Sequence, residues 1–254
     1  MNDMERKMTG LDRKVGVVIL AAGKGTRMKS DLPKALHPLG GKPLVMWVVE
    51  AARKLGAERI VAVVGHGREL VRQRLAEDGL LFATQEPQLG TGHALLCAME
   101  RFSGFDGVVV VLSADVPAMK PQTLRRLLDE RERTGAAMAL LTCHMDPPGA
   151  YGRIIRQDSQ VTAIVEARDA TAEQLKIQEI NAGIYAFDAA FLAGALPRIA
   201  ADNAQGEYYL TDLVAMAVGE GRAVAAVMID DPIQIRGVNT LEELATLEKA
   251  MLAD

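Results

Sequence analysis

The chain has 254 residues, of which 49% are hydrophobic and 4% aromatic, so its core must be built from Val, Leu, Ala, Ile and Met. That length suits one large α/β domain or two small ones. A net charge of −4 excludes a global attraction to nucleic acid or to an acidic membrane surface, and any anion must be met by local charge. Met1 to Lys14 is polar, carries no secretory signal and leads into no membrane-length apolar run, so a cytoplasmic protein with a flexible leader over residues 1–12 is expected. Val15–Leu20 reads as a buried strand, Pro43–Leu55 as a helix ending at Gly56, and Arg59–Val64 as a strand. Glu69–Ala76 reads as helix, Leu80–Thr84 as strand, Gly92–Arg101 as helix and Val108–Leu112 as strand. Pro121–Arg133 is an amphipathic helix with Pro at its start and Gly135 beyond its end, and Ala137–Thr142 is the next strand.

This alternation predicts a Rossmann-like, doubly wound sheet with ligands at the carboxyl ends of the strands. After Met145 the texture changes at Asp146-Pro147-Pro148-Gly149. Short strands over Gly152–Arg156, Val161–Val165 and Asn181–Phe187 read as a smaller β-rich part in mixed or antiparallel pairing, lining one side of a cleft. A helix over Tyr208–Val218, a strand over Ala223–Ile229 and a terminal helix over Thr240–Leu252 follow; Thr240 and Glu243 have the spacing of a capping box. Cys97 and Cys143 stand in no ligand-like spacing and read as free, buried thiols.

Leu20-Ala21-Ala22-Gly23-Lys24-Gly25-Thr26-Arg27-Met28 follows the first strand. Small residues at 21–23 let backbone N–H groups turn toward phosphate oxygens. From Lys24 to Lys42 there are five Lys or Arg and one acid, Asp31. Arg27 offers a planar fork for a phosphate and Lys34 a compact charge, while Pro33 keeps Leu32 extended and so fixes where Lys34 points. Met28 stands where a dinucleotide fingerprint needs its third glycine, and no Gly-Lys-Ser/Thr opens a helix as in a Walker loop. The plain alternative is a glycine-rich turn with solvated lysines.

Gln85-Glu86-Pro87-Gln88-Leu89-Gly90-Thr91-Gly92 follows a strand and opens a helix. Gln85 carries a donor and an acceptor of the kind that meets the polar edge of a base, and Gly90 and Thr91 permit close approach at a helix N-terminus. The segment reads equally as a polar loop with a cap. Asp115 ends a strand, where one carboxylate suits Mg2+ held jointly with phosphate oxygens, or caps the turn.

Taken in order, these segments resemble the nucleotide-sugar pyrophosphorylases. Ser30-Asp31-Leu32-Pro33-Lys34-Ala35-Leu36-His37 in particular is similar to the N-terminal uridylyltransferase half of bacterial bifunctional UDP-N-acetylglucosamine enzymes. The resemblance runs from Val15 to Leu252 and implies a nucleotide-diphospho-sugar transferase fold, with a nucleotide part over residues 13–145, a sugar part over 146–240 and a helix over 240–252. It implies that Leu20, Ala21, Ala22, Gly23, Gln85, Gly90, Thr91, Ser113 and Ala114 hold the nucleotide, Ser113-Ala114 replacing a frequent Tyr-Gly. It implies that Asp115 and Asn239 bind Mg2+, and that Arg27 and Lys34 are catalytic. Gly152, Glu166 and Asn181 would hold the sugar, with Ala182 where Thr is common; each also has an ordinary reading as strand glycine, solvated Glu or turn Asn.

The implied reaction is in-line attack of N-acetylglucosamine-1-phosphate on UTP, giving UDP-N-acetylglucosamine, a cell-envelope precursor, and pyrophosphate. UTP and a sugar-1-phosphate are thus the expected partners, with no nucleic acid and no membrane. Glucose-1-phosphate or another acceptor, cytidylyl transfer, and non-catalytic nucleotide-sugar binding are the alternatives. The resemblance stops before the β-helix acetyltransferase domain of those enzymes, so acetyl transfer is not expected. The family's trimer forms through that domain, which leaves the oligomeric state open.

Overall fold

The computed structural model describes residues 13–252. The leader expected over residues 1–12 lies outside the described residues. Strand β1 (Val15–Ala21) is buried on both faces, with Val17, Ile19 and Ala21 in one core and Val18 in the other. A hairpin of β2 (Pro38–Leu39) and β3 (Lys42–Pro43) leads into α1 (Leu44–Leu55), which Gly56 ends in a left-handed conformation. The alternation continues through β4 (Arg59–Val64), α2 (Arg68–Arg74), β5 (Leu81–Thr84), α3 (Thr91–Met99), β6 (Val108–Ser113), α4 (Pro121–Thr134) and β7 (Met138–His144). Strands β8 (Arg153–Gln157), β9 (Gln160–Val165) and β10 (Glu179–Asp188) follow. Helices α5 (Ala189–Ala195) and α6 (Asp212–Gly219), strand β11 (Val224–Ile229) and helix α7 (Leu241–Met251) complete the described chain.

The main sheet runs β11-β7-β10-β6-β1-β4-β5, with the β8–β9 hairpin attached to the start of β10. Neighbours pair in parallel except β10, which is antiparallel to both β6 and β7. Helices α1 and α4 cover one face through Val45, Val49, Leu124 and Leu127, and α3, α5 and α6 cover the other through Leu95, Leu192 and Leu213. The chain steps from β1 outward to β4 and β5, then crosses to β6 on the opposite side of β1. At such a reversal the strand ends open a crevice.

Three findings differ from the sequence reading. The helix expected from Tyr208 starts at Asp212. Tyr208 N donates to Leu89 O at 2.9 Å and Tyr208 O accepts from Gly92 N at 2.7 Å, so its backbone is spent on the neighbouring loop. Helix α5 was not anticipated; the Asp188 side chain caps it by accepting from Phe191 N at 3.0 Å. Strand β10 does more than line a cleft. It begins beside β8 and ends in the middle of the main sheet, and its pairing with β7 shifts register between Asn181 and Tyr185.

A third, smaller core joins Met28, Leu39, Leu44, Val238, Leu244 and Leu247. It seats α7 on the loop after β1. Met28, at 1% exposure, is its most deeply committed part of the glycine-rich turn. Among the described residues no helix is long and apolar enough to cross a membrane.

Candidate active site

Two cavities meet at the carboxyl ends of the central strands. The first, about 290 Å³, is lined by all nine residues of the expected nucleotide set: Leu20, Ala21, Ala22, Gly23, Gln85, Gly90, Thr91, Ser113 and Ala114. Local pairing makes its wall. Ala114 N donates to Leu20 O at 3.0 Å, joining the ends of β6 and β1, and Gln85 N donates to Val64 O at 2.8 Å, joining the ends of β5 and β4. Gly90 sits at φ +100°, and a Cβ there would lie 2.7 Å from Tyr208 O. A side chain is therefore excluded where the 207–210 segment closes against the loop.

The second cavity, about 690 Å³, holds Gly152, Glu166 and Asn181 together with Arg27, Asp115 and Asn239. Ser113 and Asp115 line both cavities. The register shift in β10 puts Asn181 at this cavity while Tyr185 turns into the core. Asn181 Nδ2 donates to the Tyr185 hydroxyl at 2.7 Å, and Asn181 Oδ1 accepts from Gly183 N at 3.1 Å. A Cβ on Gly152 would come 3.4 Å from Glu166 Oε1 and 3.0 Å from Ile164, so this glycine keeps space beside the carboxylate. Burial pushes the Glu166 carboxyl above the usual carboxylate range, and the nearby charges of Asp169 and Asp212 push the same way, against a 3.3 Å hydrogen bond from Thr211 Oγ1. Burial likewise raises the phenols of Tyr151 and Tyr185.

On the seam between the cavities four side chains converge. Lys34 Nζ donates to Asp115 Oδ2 and, at 2.8 Å, to Asn239 Oδ1. Arg27 donates to the same Asn239 oxygen at 2.8 Å. Lys34, Asp115 and Asn239 are held from behind. Gly67 lies against Pro33, where an added Cβ would come 2.4 Å from the ring, and His37 Nε2 stands 3.2 Å from Leu32 O, so the turn that carries Lys34 is gripped on both sides. Val238 N donates to Asp115 O at 2.9 Å, and Glu243 takes the Asn239 N–H at 2.6 Å. Lys24 is exposed and lines neither cavity.

Gln85 differs from expectation in one respect. Its Nε2 donates to Gly90 O at 2.8 Å and stands 3.3 Å from His93 Nδ1, so its donors are engaged and only its acceptor is left for a ligand. Gln88 and Glu207 in the first cavity, and Tyr151, Arg236 and Glu243 in the second, were not singled out as site residues from the sequence. Gln88 stands inside the Gln85–Gly92 segment, Tyr151 beside Gly152 and Glu243 in the capping box, but none reads as a site residue there. Cys97 and Cys143 are free thiols, as expected, and Cys97 is only partly buried.

The chain is similar in sequence to several curated proteins. The "Bifunctional protein GlmU" of Syntrophotalea carbinolica is 50% identical over 237 residues, covering 93% of this chain and 51% of that protein. The protein of the same name from Geobacter metallireducens is 51% identical over 233 residues, 91% of this chain and 49% of that one. The one from Corynebacterium glutamicum is 47% identical over 245 residues, 94% and 50%. The chain thus spans about half the length of these curated relatives. A solved structure of a candidate glucose-1-phosphate thymidylyltransferase from Bacillus anthracis, in complex with sucrose, superposes with a TM-score of 0.70 over 94% of this chain and 96% of that one. At 21% identity it shows a shared fold. The model of the MobA-like NTP transferase domain matches residues 17–174, well over half of the chain, and the chain belongs to that family.

Proposed function

We propose that the chain transfers a uridylyl group from UTP to N-acetylglucosamine-1-phosphate in the cytoplasm, giving UDP-N-acetylglucosamine and pyrophosphate. One observation carries this reading: the cavity lined by Leu20–Gly23, Gln85 and Gly90 and the cavity lined by Gly152, Glu166 and Asn181 meet at Ser113 and Asp115, with two cations and two side-chain oxygens on the seam. The resemblance of the Ser30–His37 run and its neighbours to the uridylyltransferase half of bifunctional UDP-N-acetylglucosamine enzymes supports the uridine and N-acetylglucosamine assignments.

The first cavity takes the nucleotide, with the backbone at Ala21–Gly23 against the phosphates and Gln85, Gly90 and Thr91 at the base. Arg27 and Lys34 hold the triphosphate and offset charge as pyrophosphate leaves. In the second cavity Glu166 accepts from sugar hydroxyls, Asn181 borders the acetamido group, and Gly152 leaves room for the ring. No protein nucleophile is required, because the acceptor's phosphate is one; the protein's contribution is alignment and charge. The nucleotide part over 13–145 and the sugar part over 146–240 are functional halves joined by β10, not separate folds.

Asp115 Oδ2 and Asn239 Oδ1 both point at a single cationic nitrogen, that of Lys34. Two hard oxygens aimed at one point fit Mg2+, which completes its shell with water and phosphate oxygens. Held by these two residues, Mg2+ supplies neutralisation of phosphate charge. Pyrophosphate release measured across four nucleoside triphosphates and a panel of sugar-1-phosphates tests the proposal. UTP with N-acetylglucosamine-1-phosphate is the expected pair, and silence from every pair refutes it.

A further inference from the structure

Gln85 is 3% exposed at the end of β5 and lines the nucleotide cavity. Its amide orientation is fixed without reference to a ligand. A carbonyl oxygen only accepts, so the amide nitrogen must be the atom facing Gly90 O at 2.8 Å. The second amide hydrogen is then available to His93 Nδ1 at 3.3 Å, which faces a donor-only nitrogen and serves as the acceptor. The ring proton sits on Nε2, 3.7 Å from the sulfur of Cys97. Both Gln85 hydrogens are now committed. Its Oε1 makes no hydrogen bond among the described residues, and it is not among the buried atoms sealed off without a partner. It is an unpaired acceptor that keeps some open surface on a residue lining the cavity.

We propose that His93 is a positioning residue for base selection, which locks Gln85 with Oε1 turned toward the base. This rests on the reading of the first cavity as a UTP site. An acceptor in that place favours a ring N–H. Uracil has one at N3, whereas cytosine has a lone pair there. To meet cytosine, the amide would have to rotate, losing its bond to His93 and setting Oε1 against Gly90 O. Two interactions therefore resist the rotation, one of them supplied by His93.

The test measures UTP and CTP dissociation constants by calorimetry for the wild type, His93→Leu and His93→Asn, beside pyrophosphate release. Leucine removes the acceptor, while the asparagine Oδ1 can take the place of Nδ1. The preference for UTP over CTP is expected to fall about tenfold in His93→Leu, as for the loss of one hydrogen bond. The loss should appear in KM for UTP more than in kcat, and His93→Asn should restore most of the preference. Three results overturn the proposal: His93→Leu with the wild-type preference, His93→Asn as impaired as His93→Leu, or a wild type that holds UTP and CTP equally. A wild type that releases no pyrophosphate, but whose UTP preference drops in His93→Leu and returns in His93→Asn, refutes the transfer reaction and supports the role of His93.

Discussion

The ammonium of Lys34 and the carboxylate of Asp115, 81 residues apart in the chain, form an ion pair on the seam between the two cavities. Asn239 accepts from the same ammonium, so one flexible cation bridges the two oxygens proposed above to hold Mg2+. On the proposed reading, phosphates entering the first cavity would give Lys34 a competing anion.

Replacing Lys34 with Ala removes a charge from the triphosphate and unpairs Asp115. The expected loss in kcat/KM for UTP is on the order of a hundredfold. Lys34→Arg should recover little, because a planar fork does not reproduce a compact ammonium between two oxygens. Pyrophosphate release reads the effect, and circular dichroism checks that the fold is intact. Near-normal turnover in a folded Lys34→Ala protein contradicts the role.

Chelation by EDTA should stop pyrophosphate release, and added Mg2+ should restore it. Asp115→Asn and Asn239→Ala should both raise the Mg2+ concentration needed for half-maximal rate. Glu243→Ala, which frees the Asn239 backbone, should raise it by about tenfold, as for a residue that only orients a ligand. A Mg2+ titration of each variant gives the answer directly.

The raised pKa of Glu166 has a stability consequence with a definite sign. The folded protein binds this proton more tightly than the unfolded chain does. The carboxyl therefore contributes stability that is fully present below the ordinary carboxylate range and is lost as pH rises through the raised value. Glu166→Gln should melt above the wild type at pH 7 and converge with it in acid. The same substitution should raise KM for the sugar phosphate. Melting temperature against pH, with one kinetic assay, separates the two effects.

Met28→Ala empties a position that is 1% exposed in the small core under α7. A cost of about 2–5 kcal/mol is expected for such a truncation. Activity should fall with stability, because Met28 anchors the turn carrying Arg27 to the segment carrying Asn239. Denaturant unfolding and turnover measured on the same sample check both.

Much of this was legible in the sequence because it is local. β4 has the bounds expected, and β6 runs one residue further, to Ser113. Both are apolar runs bounded by turn residues, which makes their ends readable. The start of α6 was missed because the backbone of Tyr208 is claimed by Leu89 and Gly92, residues more than a hundred positions away. The site residues picked from motifs fall into the two cavities and their seam. What sequence could not reveal was hydrogen-bond assignment. Gln85 looks two-handed as a residue type, and only its contacts with Gly90 and His93 show that its donors are occupied. Glu243 reads as half of a capping box. Its N–H does bond Thr240 Oγ1 at 3.1 Å, but its carboxylate takes the Asn239 N–H instead.

Arg27 meets Asn239 across 212 residues of sequence. At a synthesis rate of 5–20 residues per second, the ribosome completes the turn carrying Arg27 roughly 10–40 s before it adds Asn239. During that interval the nascent chain can form β1 and its neighbours, but the seam lacks one of its two oxygens and α7 is absent. The contact between Arg27 and Asn239 therefore forms only after the rest of the seam has been synthesised.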